Sequence, residues 1–176
     1  PFRQSLSENF LPRQRKKPVS GYNGDYIINQ NGTADYLIIA GRRPREILFR
    51  AELIYSDKAA DLALLYCAEA EEMPALKISY STVKTGDKIC VIGNGKGEGL
   101  GIVDGIVSDT CREIGGRKLM MISAPVTTGY SGGPVLSADG EFIGMVTGGR
   151  DGETAMNYAI PSVTIRKFLA SAEKKA

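Results

Sequence analysis

The chain has 176 residues, of which 43% are hydrophobic and 24% charged, a composition that excludes disorder as the default and supports a folded core. The net charge of +2 excludes a strong global field for recruiting nucleic acid or anionic lipid. No histidine is present, which excludes every mechanism that needs an imidazole of this chain as base or metal ligand. No apolar run reaches the about 20 residues of a membrane-spanning helix.

Residues 1–20 differ in composition from the rest of the chain. They hold prolines, few apolar residues and a basic cluster. The basic side chains are Arg13, Arg15, Lys16 and Lys17. This composition predicts a flexible leader or linker, with a polyanion-binding arm as the alternative.

The cysteines show no ligand or disulfide pattern. Cys67, Cys90 and Cys111 are irregularly spaced, without a CxxC pair, and one of them must remain unpaired within the chain. Buried thiols that behave as small hydrophobic side chains are the expected reading. The sequence therefore predicts neither a metal site nor a cofactor.

About ten short segments rich in Ile, Leu, Val and Tyr follow, separated by Gly, Asn and Asp. They span residues 26–28, 36–40, 47–55, 62–67, 88–92, 102–108, 119–122, 134–136, 142–147 and 156–160. Such runs predict an antiparallel all-β fold, as a sandwich or a barrel. After Ser162, a candidate N-cap, apolar residues near helical spacing predict a short C-terminal helix.

The glycine-dense stretch from Gly93 to Gly101 lies near the middle of the chain. It lacks the Gly-Lys-Ser/Thr ending of a P-loop and precedes a strand pattern rather than a helix, so phosphate binding is disfavoured. We expect a flexible hairpin that could join two halves of the fold.

The string Gly129-Tyr130-Ser131-Gly132-Gly133-Pro134 is the most specific in the chain. A serine between glycines can lie on a tight turn with its hydroxyl exposed, where the main-chain N–H groups of Gly129 and Ser131 converge as an oxyanion hole. Taken alone, the string is equally consistent with a glycine-rich turn that carries an incidental serine.

In its context this string resembles the trypsin-like serine peptidases of the HtrA or Deg branch. The family's GNSGGP turn, DGxVIG hairpin and FAIPS helix entry match residues 129–134, 139–144 and 158–162 in order. Upstream, residues 61–65 resemble the catalytic-aspartate segment, and residues 91–94 and 105–108 resemble the IGNP and GIVS landmarks. The resemblance implies a trypsin-like double six-stranded antiparallel β-barrel with a short C-terminal helix, in one domain over residues 21–176.

The resemblance also implies roles for individual residues. Ser131 takes the nucleophile slot, Gly129 and Ser131 supply the oxyanion-hole donors, and Asp61 takes the orienting slot. Thr147, Gly148 and Gly149 are then expected on the edge strand that pairs with the backbone of a peptide.

The histidine slot is where the chain departs from the family. The family string GYxxTNxHV corresponds to a stretch that reads Gly-Asp-Tyr-Ile-Ile-Asn-Gln-Asn over residues 24–31. Asn31 occupies the slot in the ungapped alignment, and Asn29 is the alternative if the loop is shorter. An amide can hydrogen-bond to Asp61 and Ser131 but has no basic site near neutral pH.

The sequence therefore predicts a pseudoprotease that binds a peptide or protein partner in the inherited cleft without cleaving it. One alternative is an active endopeptidase with an unorthodox base, for which Lys58 and Lys84 are candidates, or one whose histidine was removed by engineering. A second is a repurposed HtrA homologue of the magnetosome type, with a role in metal handling or biomineralisation, for which this chain offers only carboxylates and thiols.

The family resemblance further implies an extracytoplasmic location, periplasmic or membrane-associated. It also implies that a membrane anchor or a PDZ domain can lie outside this segment, and that the protein can form a homo-oligomer. A nucleic-acid partner is not expected.

Overall fold

A computed structural model describes residues 26–28, 34–40, 47–67, 75–149 and 156–174. The strands within these ranges are β1 Tyr26–Ile28, β2 Ala34–Ala40, β3 Ile47–Asp57, β4 Leu62–Tyr66, β5 Lys88–Gly93, β6 Gly101–Ile114, β7 Arg117–Ile122, β8 Pro134–Ser137, β9 Phe142–Gly149 and β10 Asn157–Pro161. One α-helix, α1, follows at Ser162–Glu173. The leader predicted over residues 1–20 and the two candidates for the histidine slot, Asn29 and Asn31, lie outside the described residues.

The chain divides into two compact units, Pro1–Pro74 with Leu169–Ala176, and Ala75–Phe168. In the first unit, β1 to β4 form an antiparallel sheet in sequence order. The boundary at Pro74 corrects one expectation, since the glycine-dense stretch lies inside the second unit and does not join two halves.

The second unit contains a closed antiparallel barrel with the strand order β10-β7-β6-β5-β8-β9. Its strands alternate between the interior and the outside, as in β5, where Ile89 and Val91 are buried while Lys88 is exposed. The interior is filled by the buried residues Ile89, Val91, Val107, Met120, Ile122, Ala124, Tyr130, Val135, Ile143, Val146 and Ala159. Closure pairs β10 with β9, so every strand of the barrel has a neighbour on both sides over part of its length.

Strand β6 is longer than the sequence pattern predicts. It continues past Ser108 to Ile114 and pairs with β7, with register shifts on the way. None of the residues beyond Val107 on β6 is buried, and from Arg112 to Ile114 the strand pairs with residues of β7 that have no partner on β10. The turn at its end is Gly115-Gly116, and both residues have positive φ, the conformation that a two-residue hairpin turn requires.

Helix α1 begins directly after β10. Its buried residues Ile165, Phe168 and Ala172 recur at helical spacing. The hydroxyl of Ser162 donates to the carbonyl oxygen of Ser79 at 3.4 Å, and the guanidinium of Arg166 donates to the same oxygen. These bonds tie the start of the helix to the segment that precedes β5.

The predicted antiparallel all-β architecture, with a six-stranded barrel and a short C-terminal helix, is confirmed. Within the described part of the chain, no helix has the length and apolar character needed to cross a membrane.

Candidate functional site

Ser131, which the resemblance places in the nucleophile slot, lies in a turn over residues 127–133 between β7 and β8, called here the nucleophile turn after that expectation. Two hydrogen bonds form this turn, from the Tyr130 N–H to the Thr127 carbonyl at 3.1 Å and from the Gly133 N–H to the Tyr130 carbonyl at 2.8 Å. Ser131 is exposed at its tip. Gly129 has a φ of +101°, and a Cβ atom there would overlap the carbonyl oxygen of Asn94. Only glycine fits this position, because both the backbone conformation and the available space exclude a side chain.

The nucleophile turn rests on the hairpin loop, residues 94–100, between β5 and β6. The N–H of Asn94 donates to the Gly129 carbonyl at 3.2 Å, and the N–H of Lys96 donates to the Thr128 carbonyl at 2.8 Å. A short 3₁₀ turn at Gly95–Gly97 presents these donors. The glycine-dense stretch is thus a hairpin, as expected, and its main chain supports the nucleophile turn.

These contacts determine where the N–H groups of the nucleophile turn point. The carbonyls of Thr128 and Tyr130 are both occupied as hydrogen-bond acceptors. In a planar trans peptide the N–H points opposite to the C=O, so the N–H groups of Gly129 and Ser131 face away from those contacts. Within the described ranges, neither N–H donates to any acceptor. Both donors are therefore available to a ligand.

Tyr130 fastens the nucleophile turn to the hairpin loop. Its side chain is 7% exposed and belongs to the barrel core. A Cβ atom at Gly93 would overlap the ring, one at Gly95 would lie 2.8 Å from Cε2, and one at Gly101 would lie 3.2 Å from the phenol oxygen. The ring thus fills the space left by three glycines. No role was predicted for Tyr130, because Gly93, Gly95 and Gly101 lie about thirty residues or more before it in the chain.

Thr147, Gly148 and Gly149 form the end of β9. On one side this end pairs with β10, through Gly148 with Tyr158 and Gly149 with Asn157. On the other side, β9 pairs with β8 and then, at Val146, with Gly132 and Gly133 through hydrogen bonds of 2.8 and 2.9 Å. Past Val146, no described strand pairs with this side of β9. Gly148 and Gly149, the last two residues of β9, therefore lie at a short local edge close to the nucleophile turn.

Asp61 lies in the first unit, in the turn from β3 to β4. It is exposed and has a φ of +59°, which is unusual for a residue other than glycine. The carboxylate of Asp57 holds this turn by accepting hydrogen bonds from the N–H groups of Ala59 at 2.9 Å and Ala60 at 3.1 Å. The structure thus brings Gly129, Ser131 and the end of β9 together in the second unit, while Asp61 belongs to the first.

Lys96 contacts the nucleophile turn through its main chain. Its φ is +53°, so it is, like Asp61, a residue other than glycine in the strained left-handed region. No role was predicted for Lys96 from the sequence. Lys58 and Lys84, the candidate replacement bases, are both exposed. Within the described ranges, no three His, Cys, Asp or Glu side chains gather into a group that could hold a metal ion.

Comparisons with known proteins agree with this geometry. The trypsin-like peptidase domain family matches residues 25–145. The mitochondrial serine protease HTRA2 of Bos taurus is 30% identical over 165 residues, which cover 89% of this chain and 36% of that protein. The serine endoprotease DegS of Salmonella typhimurium is 33% identical over 155 residues, which cover 82% of this chain and 42% of that protein. This chain therefore spans well under half the length of these relatives.

Solved structures show the same relationship. A serine endoprotease from Yersinia pestis superimposes with a TM-score of 0.65 at 26% identity, covering 85% of this chain and 48% of that one. The HtrA-type protease AlgW with decapeptide superimposes with a TM-score of 0.67 at 27% identity, covering 85% of this chain and 44% of that one. The predicted trypsin-like fold is confirmed, and the chain belongs to the trypsin-like peptidase domain family, with relatives of the HtrA type.

Proposed function

We propose that this chain is a pseudoprotease domain that binds an extended peptide and does not cleave it. The observation that carries the proposal is that the chain contains no histidine, although the family match extends over residues 25–145. In the Ser-His-Asp mechanism the imidazole takes the serine proton and then protonates the leaving amine. The asparagine expected at that slot performs neither step, because an amide has no basic site near neutral pH.

The expected loss of rate without the histidine is large enough to favour an inactive protein over a slow enzyme. In the subtilisin series, removal of the base or nucleophile lowers turnover by about 10⁶, which corresponds to roughly 8 kcal/mol of barrier. A lysine could replace the base only if burial suppressed its charge, and the two candidates, Lys58 and Lys84, are exposed.

The features that bind a peptide do not depend on the histidine. The N–H groups of Gly129 and Ser131 donate to no acceptor in the part of the chain that the structure describes, and past Val146 no described strand pairs with one side of β9. Main-chain pairing holds an extended peptide without requiring particular side chains. The relative AlgW was solved with a decapeptide, which supports the same ligand class here. We also infer an extracytoplasmic location, because DegP-like relatives are described as periplasmic.

The catalytic half of the proposal is tested by prolonged incubation with unfolded casein and a panel of fluorogenic peptides. We expect no cleavage above that of the Ser131→Ala variant, with an active HtrA protease as the positive control. Cleavage that Ser131→Ala abolishes would show an active endopeptidase with an unorthodox base.

The binding half is tested by calorimetric titration with extended peptides that carry N-methyl groups at alternate residues. Because alternate N–H groups of a strand face opposite sides, methylation of one set should abolish binding and methylation of the other set should leave it intact. Equal loss or equal retention with both sets would contradict pairing along β9.

A further inference from the structure

Three exposed apolar side chains lie close together in the chain at the start of β6. Leu100 is 82% exposed, Ile102 is 69% exposed and Ile106 is 43% exposed. They are three of the seven large apolar side chains that are exposed within the described ranges. A group of exposed apolar side chains, unlike a single one, marks a place where another surface can pack.

Ile102 and Ile106 belong to the outer face of the hairpin that β5 and β6 form. This face carries six side chains in three cross-strand pairs, Ile92 with Ile102, Cys90 with Asp104, and Lys88 with Ile106. On β5 the intervening residues Ile89 and Val91 are buried in the barrel, so the six side chains point outward because side chains alternate along a strand. We call these six side chains the outer patch, and Leu100 precedes it in the hairpin loop.

The outer patch carries one cation and one anion. Lys88 and Asp104 are both exposed and occupy diagonal positions of the ladder, since Lys88 lies opposite Ile106 and Asp104 lies two residues before Ile106. No ion pair joins either of them to the other or to another described residue. Both charges can therefore pair with groups of opposite sign on another molecule.

The charges of the outer patch fit a second copy of this chain. A partner of one charge sign would be attracted by one of the two side chains and repelled by the other. A two-fold axis that places Lys88 against Asp104 of a second copy also places Asp104 against Lys88 of that copy, because such a contact is reciprocal. The two exchanged residues form one diagonal of the ladder, so the axis runs close to the other diagonal and brings Ile106 near its own copy. Apolar side chains then meet at the centre, between two contacts of opposite charge.

We propose that the outer patch is a two-fold interface between two copies of this chain. Lys88 of each copy pairs with Asp104 of the other, while Ile102 and Ile106 pack between the two copies. This inference does not depend on the proposed function, because the outer patch contains no residue of the nucleophile turn or of β9. Failure of either one leaves the other standing.

Sedimentation equilibrium over a range of concentrations up to about 1 mM measures the self-association of the chain, and we expect a dimer. Lys88→Glu and Asp104→Lys each turn both attractive contacts into repulsive ones. Each variant should therefore weaken the dimer by about tenfold or more at low salt. A wild-type chain that stays monomeric over this range would overturn the inference, and so would a dimer that both charge reversals leave unchanged.

Restoring the opposite charges tests the reciprocal pairing itself. The double variant Lys88→Glu/Asp104→Lys again has opposite charges at both contacts and should dimerise like the wild type. An equimolar mixture of the two single variants should form a heterodimer for the same reason, although each variant alone associates weakly. If neither the double variant nor the mixture recovers association, the pairing of Lys88 with Asp104 is wrong. Recovery in the double variant alone would indicate an odd-numbered ring, such as a trimer, and would contradict the two-fold axis.

The apolar part of the interface is tested by Ile102→Ser, which removes exposed apolar area and should weaken the dimer by about fivefold or more. Val163→Ser makes a similar change at a side chain of α1 that is 47% exposed, and Lys58→Glu repeats the charge reversal in an exposed turn. Both controls should leave the dimer unchanged, and an effect as large as that of Ile102→Ser or Lys88→Glu would contradict the location of the interface. Circular dichroism and urea unfolding check that each variant is folded, as expected for substitutions of exposed side chains.

Discussion

Two turns that the family resemblance links to catalysis are built in different ways. In the nucleophile turn, main-chain hydrogen bonds from the hairpin loop hold the backbone, and the ring of Tyr130 is buried beneath it. In the turn from β3 to β4, the carboxylate of Asp57 accepts two N–H groups, and Asp61 is exposed. A turn that is held by main-chain hydrogen bonds and by core packing can keep its shape when a catalytic side chain is replaced. The shape of the turn from β3 to β4 depends in part on the side chain of Asp57.

The largest loss of stability is expected when one methyl group is added at Gly129. Gly129→Ala combines a positive φ with overlap on the Asn94 carbonyl, so we expect a loss of about 4 kcal/mol or more in the free energy of unfolding. Gly132→Ala is the matched control, since its φ is +82° but a Cβ atom there meets nothing within 4 Å. Backbone strain alone should reduce stability by about 1–2 kcal/mol in this control. Urea denaturation measures both, and equal losses would show that overlap with the hairpin loop is unimportant.

A second test concerns the segment that leads into the nucleophile turn. Asn157 on β10 is 4% exposed, and its side-chain amide donates to the carbonyl of Ala124 at 2.8 Å. Asn157→Ala removes this donor inside the barrel and should lower the free energy of unfolding by about 2 kcal/mol. Thr110→Ala, on the exposed ribbon of β6, should change stability by less than about 0.5 kcal/mol. Comparable losses in the two variants would show that the buried amide does not hold this segment.

A smaller loss of stability is expected when the side-chain acceptor in the turn from β3 to β4 is removed. Asp57→Ala removes the acceptor for the N–H groups of Ala59 and Ala60, and we expect a loss of about 1 kcal/mol together with faster hydrogen exchange at those two amides. Asp57→Asn keeps an oxygen acceptor and should recover most of the protection. Unchanged exchange in Asp57→Ala would mean that the backbone alone holds this turn.

The smallest effect is expected at an exposed ion pair that joins Lys77 to Glu141, next to the turn between β8 and β9. The hydrogen bond that Glu141 accepts from Lys77 lowers the pKa of Glu141, and a hydrogen bond with Ser79 lowers it further, while the same bond to Glu141 raises the pKa of Lys77. The Glu141 contribution is present above the unfolded-state pKa of a glutamate and is lost as the pH falls through the lower folded-state value. The Lys77 contribution is complete below its unfolded-state pKa and is lost as the pH rises through the higher folded-state value.

Glu141→Gln removes the titrating carboxylate. As the pH falls into the acidic range, the stability of the variant should therefore decrease slightly less than that of the wild type. Thermal unfolding over a pH series in low salt measures this difference, which added salt should reduce because the pair is exposed. A Glu141→Gln profile identical to the wild type at acidic pH would show that the pair does not contribute to stability.

Much of the fold follows from local pattern. The predicted segments at residues 26–28 and 88–92 coincide with β1 and with nearly all of β5, because alternation and turn residues are local signals. The end of β6 could not be predicted in this way. Residues 109–113 are polar or lack alternation, and they form a strand only because β7 pairs with them across the Gly115-Gly116 turn.

The site was predicted less completely than the fold. The serine turn and its glycines stand out in sequence because backbone conformation restricts the residue type at Gly129. The burial of Tyr130 and the approach of Lys96 depend on a contact between segments more than thirty residues apart. No periodicity or motif within either segment carries that information, since it arises when the barrel closes.

The packing of Tyr130 against three glycines restricts the single substitutions that the protein can tolerate. A side chain at Gly93 or Gly95 is blocked while the ring is present, and a small residue at position 130 leaves a void while the glycines remain. Single substitutions in either direction therefore pass through a destabilised protein. Replacement of Tyr130 without loss of stability therefore requires simultaneous changes on both sides of the contact.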